Sequence, residues 1–305
     1  MTLGSGTHTY EWVENWAKLP AGKAFGYTHG VVIDSKENVH IFNQSKDALC
    51  TFDLAGNFIR SWGEEFAAGA HGLYLSKEGG TEYLYLSDYE IQKVRKTTLT
   101  GEMVLEFQRP DRKDIYADPK TYKPTDVCVG PSGDVYVFDG YGQPYVHRYD
   151  KNGKYLQSIG GPGNGQGQLN CPHAGNIDAR HGEPELYVAD RGNNRIQVFT
   201  LDGKHKRFIT EAQQMPCNFA WYKDEVYIPD LLARVTILDK NDKLITHLGE
   251  NPEAPKTTGW PNIQDKVQKG KFNSPHACRV DPKSGDLFVV EWISTGRVTK
   301  LKRNR

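Results

Sequence analysis

Four histidines occupy the same place in four similar stretches: His29 in HGVVI, His71 in HGLYL, His173 in PHAGNI and His276 in PHACRV. Each stands at the head of a short apolar run, the position of a residue opening a β-strand. Only ten of the 305 residues are histidine, so four at one repeated position point to a common task. Imidazoles ligate metals and carry protons. Three that converge on one point form a tripod for a divalent ion, with a fourth position left for a substrate hydroxyl or water. Polar residues recur where the second strand of each stretch closes: Asn43 and Gln44, Asp88, Asp139 with Tyr141, Asp190 with Arg191, Asp230, and Glu291 with Trp292. Tyr141, in the turn FDGYGQP, offers a phenol that can exchange a proton with a substrate hydroxyl if nearby cations depress its pKa. Arg191, in ADRGNNR, can supply that charge or hold a substrate oxygen. Asn43, Gln44 and Asp139 are candidates to line a substrate. Packing offers the plainer alternatives: Tyr141 as an aromatic plug, Arg191 as the partner of a neighbouring acid.

The elements that position these groups are repeats. Pro124 to Gly160 and Pro172 to Ile209 both read as a short strand, a polar turn, a strand ending in Asp, and two further strands joined by an Asn-Gly or Asp-Gly turn. Weaker copies start at His29, His71, Cys217 and His276, making six units at intervals of about 50 residues. A four-stranded meander of this length cannot bury its apolar faces alone and must stack on its copies. The expected fold is therefore all-β: a six-bladed β-propeller forming a single domain over residues 1–305. The last unit lacks a strand, and Tyr10 to Trp16 is the segment expected to close the ring and remove the open edge. In six blades, His71, His173 and His276 fall on alternate members, roughly 120° apart around the axis. That places a zinc-type tripod at one end of the channel. Should His29 ligate as well, Fe, Mn or Ni becomes the better match. Two long connections, Glu106 to Tyr122 and Gly249 to Phe272, are expected as lids. The best helical candidate, Asn262 to Lys269, is short and has no apolar stripe.

Charge and composition exclude several classes. Lys+Arg and Asp+Glu are both 38, for a formal charge of zero. That argues against a phosphate-backbone or anionic-membrane partner and favours a small-molecule substrate. Mean hydropathy is −0.64, and no apolar run approaches the roughly 18 residues of a membrane span. The opening MTLGSGTHTYEW has no signal-peptide pattern, and five cysteines without C-x-x-C spacing suggest reduced thiols; a cytoplasmic setting is expected.

The stretch VADRGNNRIQVF, Val188 to Phe199, resembles the signature of NHL-repeat propellers, and PTDVCV…YVFDGY, beginning at Pro124, is similar to a stretch of the peptidyl-α-hydroxyglycine α-amidating lyases. The resemblance covers nearly the whole chain. It implies that His71, His173 and His276 hold zinc, that Tyr141 is the catalytic base with Arg191 beside it, and that a C–N bond is cleaved at a hydroxyl-bearing carbon. The chain also departs from that pattern. Asn43 or Gln44 stands where the resemblance implies a substrate-gripping arginine, and His29 replaces an apolar residue. Ala277 stands where an acid helps hold a structural calcium, and Gly142 replaces a disulfide cysteine. A metal-dependent hydrolase or isomerase on the same scaffold, and a non-catalytic NHL interaction scaffold, are the competing expectations.

Overall fold

The computed structural model describes every residue except 264, 265, 267 and 305. Among the described residues the strands form six antiparallel sheets and there is no α-helix, hence none able to cross a membrane. Five sheets have four strands in sequence order, and the sixth has five. By its contacts the chain separates into two compact units, Ala68–Thr210 and Met1–Ala67 with Glu211–Arg305.

The first unit holds blades two, three and four. Their opening strands are Ala70–Glu78, Asp126–Val129 and Pro172–Asp178. The second strands, such as VYVF at Val135–Phe138 and ELYVAD at Glu185–Asp190, are buried along their whole length. In blade three, side chains of blades two and four cover Val135–Phe138 on its two faces, so its apolar run is continuous rather than alternating. Outer strands such as Tyr155–Gly160 are partly exposed. Tyr85, Val94, Phe107, Val127, Val137 and Tyr149 form one core cluster, and Cys128, Phe138, Val146, Leu186, Val188 and Phe199 form another. Each such side chain contributes roughly 1.5–3 kcal/mol by leaving water. Turn chemistry fixes the meander: Asp150 accepts from the amides of Asn152 and Lys154, both at 2.9 Å, and Gly153 takes φ +84°, which a side chain would oppose.

The second unit holds blades one, five and six. His8–Val13 pairs with Arg297–Arg303, setting Trp12 opposite Leu301, so the amino-terminal segment supplies the missing strand. Thr2–Ser5 adds a fifth strand beyond it. Trp16 lies past this strand, packed on Phe52 and Phe288 at 5.6 and 4.9 Å, with its indole N–H donated to the Leu54 carbonyl at 3.0 Å.

In blade one, Asp34 accepts from the amides of Lys36 and Asn38 at 2.9 and 2.8 Å and from the Asn38 side chain at 2.8 Å, and it meets His40 Nε2 at 3.1 Å. Burial pushes this carboxyl up, but the His40 and Asn38 hydrogen bonds outweigh it and hold the group at about 2. A depressed carboxyl stabilises the fold above its unfolded pKa near 4, and that stability is lost as the pH falls through 2. Asp34→Asn is therefore expected to cost about 1–2 kcal/mol at pH 7, allowing for solvent screening, and almost nothing at pH 2. Urea melts at the two pH values check this.

The segment Glu106 to Tyr122, expected as a lid, is a packed strap. Ile115, Tyr116 and Tyr122 are buried in the core cluster of blades two and three, and Asp118 caps the 3₁₀ turn Pro119–Thr121 through the Lys120 amide. In the other long connection Ala254 and Ile263 pack with Ala233, and Phe272 is fully buried. The helical candidate at Asn262 to Lys269 includes three positions that lie outside the described residues.

Candidate functional site

All four repeated histidines are at least 97% buried, and each sits at a break in strand register. Thr28 faces Asn43 but Gly30 faces Phe42; Ala70 faces Asp88 but Leu73 faces Leu86. Pro172 faces Asp190 but Gly175 faces Val188, and Pro275 faces Glu291 but Ala277 faces Val290. Each is a one-residue bulge, which re-aims a side chain out of the pleat. The small residue following each histidine is the trace of this in the sequence. At Gly72 a Cβ would stand 2.4 Å from the Ser87 hydroxyl and 2.6 Å from Asp126 Oδ1.

Within Ala68–Thr210, the structure brings His71, Tyr141, His173 and Arg191 together. The Tyr141 hydroxyl lies 3.1 Å from His71 Nε2 and 3.3 Å from His173 Nε2, and the two imidazoles are 4.8 Å apart. The Arg191 guanidinium lies 5.3 Å from the centre of the Tyr141 ring. Arg191 opens a 3₁₀ turn closed by Asn194 in the left-handed conformation, and its amide donates to the Cys171 carbonyl at 3.1 Å. The neighbouring acid Asp190 is bound by Arg195, Asn193 and Gln197. Burial holds the Cys171 thiol above its ordinary range, against the pull of the adjacent Arg191 charge.

Two of the imidazoles, those of His71 and His276, have Nδ1 held by a backbone carbonyl. His71 Nδ1 is 2.6 Å from the Thr125 carbonyl oxygen, which can only accept, so Nδ1 carries the proton and Nε2 the lone pair. Within the other unit, His276 Nδ1 stands 3.1 Å from the His29 carbonyl oxygen, and the His29 ring lies edge-on to His276 at 4.5 Å. A carbonyl that fixes the far nitrogen is the usual outer support of a metal-binding histidine. These donors fit a divalent transition metal. Asp178, His181 and Glu185 also gather, but Arg180, Arg207 and Lys206 pair with the two acids. That cluster is an ion-pair network.

Two expected substrate contacts turn inward. Asn43 is fully buried, accepts from the Gly26 amide at 3.0 Å and donates to the Asp47 and Ala48 carbonyls, both at 3.0 Å. Asp139 is fully buried and spends its carboxylate on the Lys123 and Gln143 amides at 2.7 and 2.8 Å and on the Tyr116 hydroxyl at 2.5 Å. Both residues therefore hold turns. Gln44 is half-buried, and its backbone N–H donates to the Tyr27 carbonyl. Ala277 packs in the apolar cluster of Val31, Phe288 and Val290 and offers no side-chain oxygen for calcium. At Gly142 a Cβ would stand 2.2 Å from both Asp139 Oδ1 and the Thr121 carbonyl, so no cysteine fits there. Among the described residues all five cysteines are free thiols.

Sequence reasoning missed Tyr89. Its ring packs edge-on against Tyr141 at 5.4 Å and His71 at 5.7 Å, with the Lys123 ammonium 5.7 Å from its centre. Its place directly after the closing acid Asp88 was the available signal.

No family model matches the chain. Among curated proteins it is 24% identical to NHL repeat-containing protein 3 of Homo sapiens over 291 residues, which is 90% of this chain and 79% of that one. It is 26% identical to the peptidyl-glycine alpha-amidating monooxygenase of Mus musculus over 62% of this chain and 22% of that one. It is 27% identical to a probable peptidyl-alpha-hydroxyglycine alpha-amidating lyase of Caenorhabditis elegans over 45% of this chain and 39% of that one. Among solved structures, a streptogramin B lyase superposes with a TM-score of 0.66 at 14% identity, covering 99% of this chain and 98% of that one. The chain is an all-β six-bladed propeller, with NHL-repeat proteins among its distant sequence relatives. A gluconolactonase from Xanthomonas campestris shares the fold, with a TM-score of 0.64 at 13% identity over 92% of this chain and 87% of that one. The chain thus resembles known enzymes, the amidating proteins in sequence and the lyase and gluconolactonase in fold.

Proposed function

We propose that this propeller is a metal-dependent lyase that cleaves a C–N (or C–O) bond at a hydroxyl-bearing carbon of a small substrate. His71, His173 and His276 are assigned as ligands of one divalent transition metal, zinc foremost, and Tyr141 as the base. One observation carries the reading: a single phenolic hydroxyl within hydrogen-bond reach of two buried imidazole Nε2 atoms, under a guanidinium. His276 is assigned as the third ligand because it shares the bulge and the carbonyl-anchored Nδ1 seen at His71.

When bound, the metal supplies Lewis acidity to the substrate hydroxyl. Tyr141 accepts the hydroxyl proton at its phenolic oxygen, and the positive charge of Arg191 favours the tyrosinate this requires. As the O–H bond breaks, the carbon–oxygen bond becomes a carbonyl and the C–N bonding pair leaves on nitrogen. Tyr141 then returns the proton to that nitrogen, giving an amide and an aldehyde. Burial of the surrounding imidazoles excludes water that would otherwise compete for the proton.

A second reading, a metal-dependent hydrolase, draws on the His29 ring against His276 and on the buried Asn43 in place of a substrate-gripping arginine. With His29 as a further ligand, Fe, Mn or Ni would replace zinc. An assay separates the two: N-acyl-α-hydroxyglycine is expected to release glyoxylate in a metal-dependent manner. Turnover of a lactone with no aldehyde from the amide would favour the hydrolase.

A further inference from the structure

The acids that close the blades fall into two groups. In blades four, five and six each is paired with an arginine at the start of the third strand: Asp190 with Arg195 at 2.6 Å, Asp230 with Arg234 at 3.2 Å and Glu291 with Arg297 at 3.1 Å. In blade three Tyr145 opens the corresponding strand, and among the described residues no lysine or arginine pairs with Asp139. A buried carboxylate without a cation is costly unless hydrogen bonds replace the charge.

A directed chain of side chains takes the cation's place. Half-buried Arg112 donates to the Tyr155 oxygen at 3.1 Å, and the Tyr155 hydroxyl lies 2.8 Å from Ser158 Oγ. Ser158 lies 2.9 Å from His147 Nδ1, His147 Nε2 lies 2.6 Å from the Tyr116 oxygen, and Tyr116 donates to Asp139 at 2.5 Å. Asp139 must accept the Tyr116 proton, so His147 donates from Nε2 and Nδ1 accepts from Ser158. Burial keeps His147 neutral, lowering it to about 3, as this polarity needs. Every hydrogen in the chain then points toward Asp139, and such aligned bonds strengthen one another.

The chain ends at the turn that carries the phenol. Asp139 accepts from the Lys123 and Gln143 amides, the Tyr141 amide donates to the Lys123 carbonyl at 3.3 Å, and the Gly140 amide donates to Thr125 Oγ1 at 3.1 Å. Thr125 in turn orients His71 through its carbonyl. We propose that Tyr116 is a positioning residue, replacing the missing arginine of blade three and fixing the 139–143 turn so that Tyr141 meets the two imidazoles; this rests on the reading of Tyr141 as the base. The strap from Glu106 to Tyr122 then has a purpose: it delivers that hydroxyl.

The groups around Asp139 are Tyr116, Tyr122, Tyr149 and His147, with Arg109 5.3 Å from the Tyr116 ring centre. Burial pushes Asp139 up to about 6, and the Tyr116 bond is the largest influence in the other direction. The test is hydrogen–deuterium exchange on the full chain without substrate, comparing wild type, Tyr116→Phe and Tyr116→Phe with Tyr145→Arg. In Tyr116→Phe the amides of residues 139–145 are expected to exchange at least ~10-fold faster at pH 7, with the pH midpoint of their protection moved upward. Restoring the arginine should return both toward wild type, while the 190–195 turn stays unchanged throughout. Unchanged exchange at 139–145, or equal loosening of 190–195, would overturn the proposal. Failure of the wild type to bind metal or release aldehyde would instead remove the lyase reading, because the exchange result needs neither.

Discussion

Tyr141→Phe is expected to lower turnover by about 10²- to 10⁴-fold while leaving bound metal and folding unchanged. Only one oxygen is removed. The ring keeps its edge-on contacts with Tyr89 and His71 and its place beneath Arg191. The lost factor corresponds to about 3–5 kcal/mol of barrier, the range of a positioned proton carrier. Steady-state kinetics with metal content measured on the same sample check this. Turnover within threefold of wild type would remove Tyr141 from the chemistry.

His173→Ala is expected to weaken metal binding by more than ~10²-fold and to abolish turnover. Losing a group that merely supports a ligand already costs 10–100-fold, so losing a ligand costs more. His173 is 1% exposed, so truncation also leaves a polar cavity that water can fill. Some loss of stability should follow, and the decisive comparison is therefore metal affinity in protein shown to be folded by circular dichroism. An unaltered affinity would mean that His173 is no ligand.

Much of the fold was written in the repeats. The continuous runs VYVF and ELYVA, the Asn-Gly and Asp-Gly turns and the orphaned last unit lead directly to blades closed by His8–Val13. The histidines, Tyr141 and Arg191 were legible because each stands at a repeated or adjacent position. The bulges were not, since register is a relation between two strands and only the small residues after the histidines betray it. Asn43 and Asp139 misled because a polar residue at a strand's end reads the same whether it faces a channel or folds back onto its own turn. The strap was mistaken for a lid because loop length said nothing of partners, although Ile115, Tyr116 and Tyr122 were apolar enough to signal a buried segment. His147 lies within a strand, and its worth appears only when Tyr116 arrives from 31 positions away.

Whether the histidines hold a metal is decided by elemental analysis of the folded chain, purified without chelators and without added ions. About one transition-metal ion per chain is expected, lost in parallel with turnover on chelation and restored by zinc. A folded chain that carries no such ion and takes up none from micromolar zinc would rule this out, leaving a propeller whose buried histidines serve packing alone.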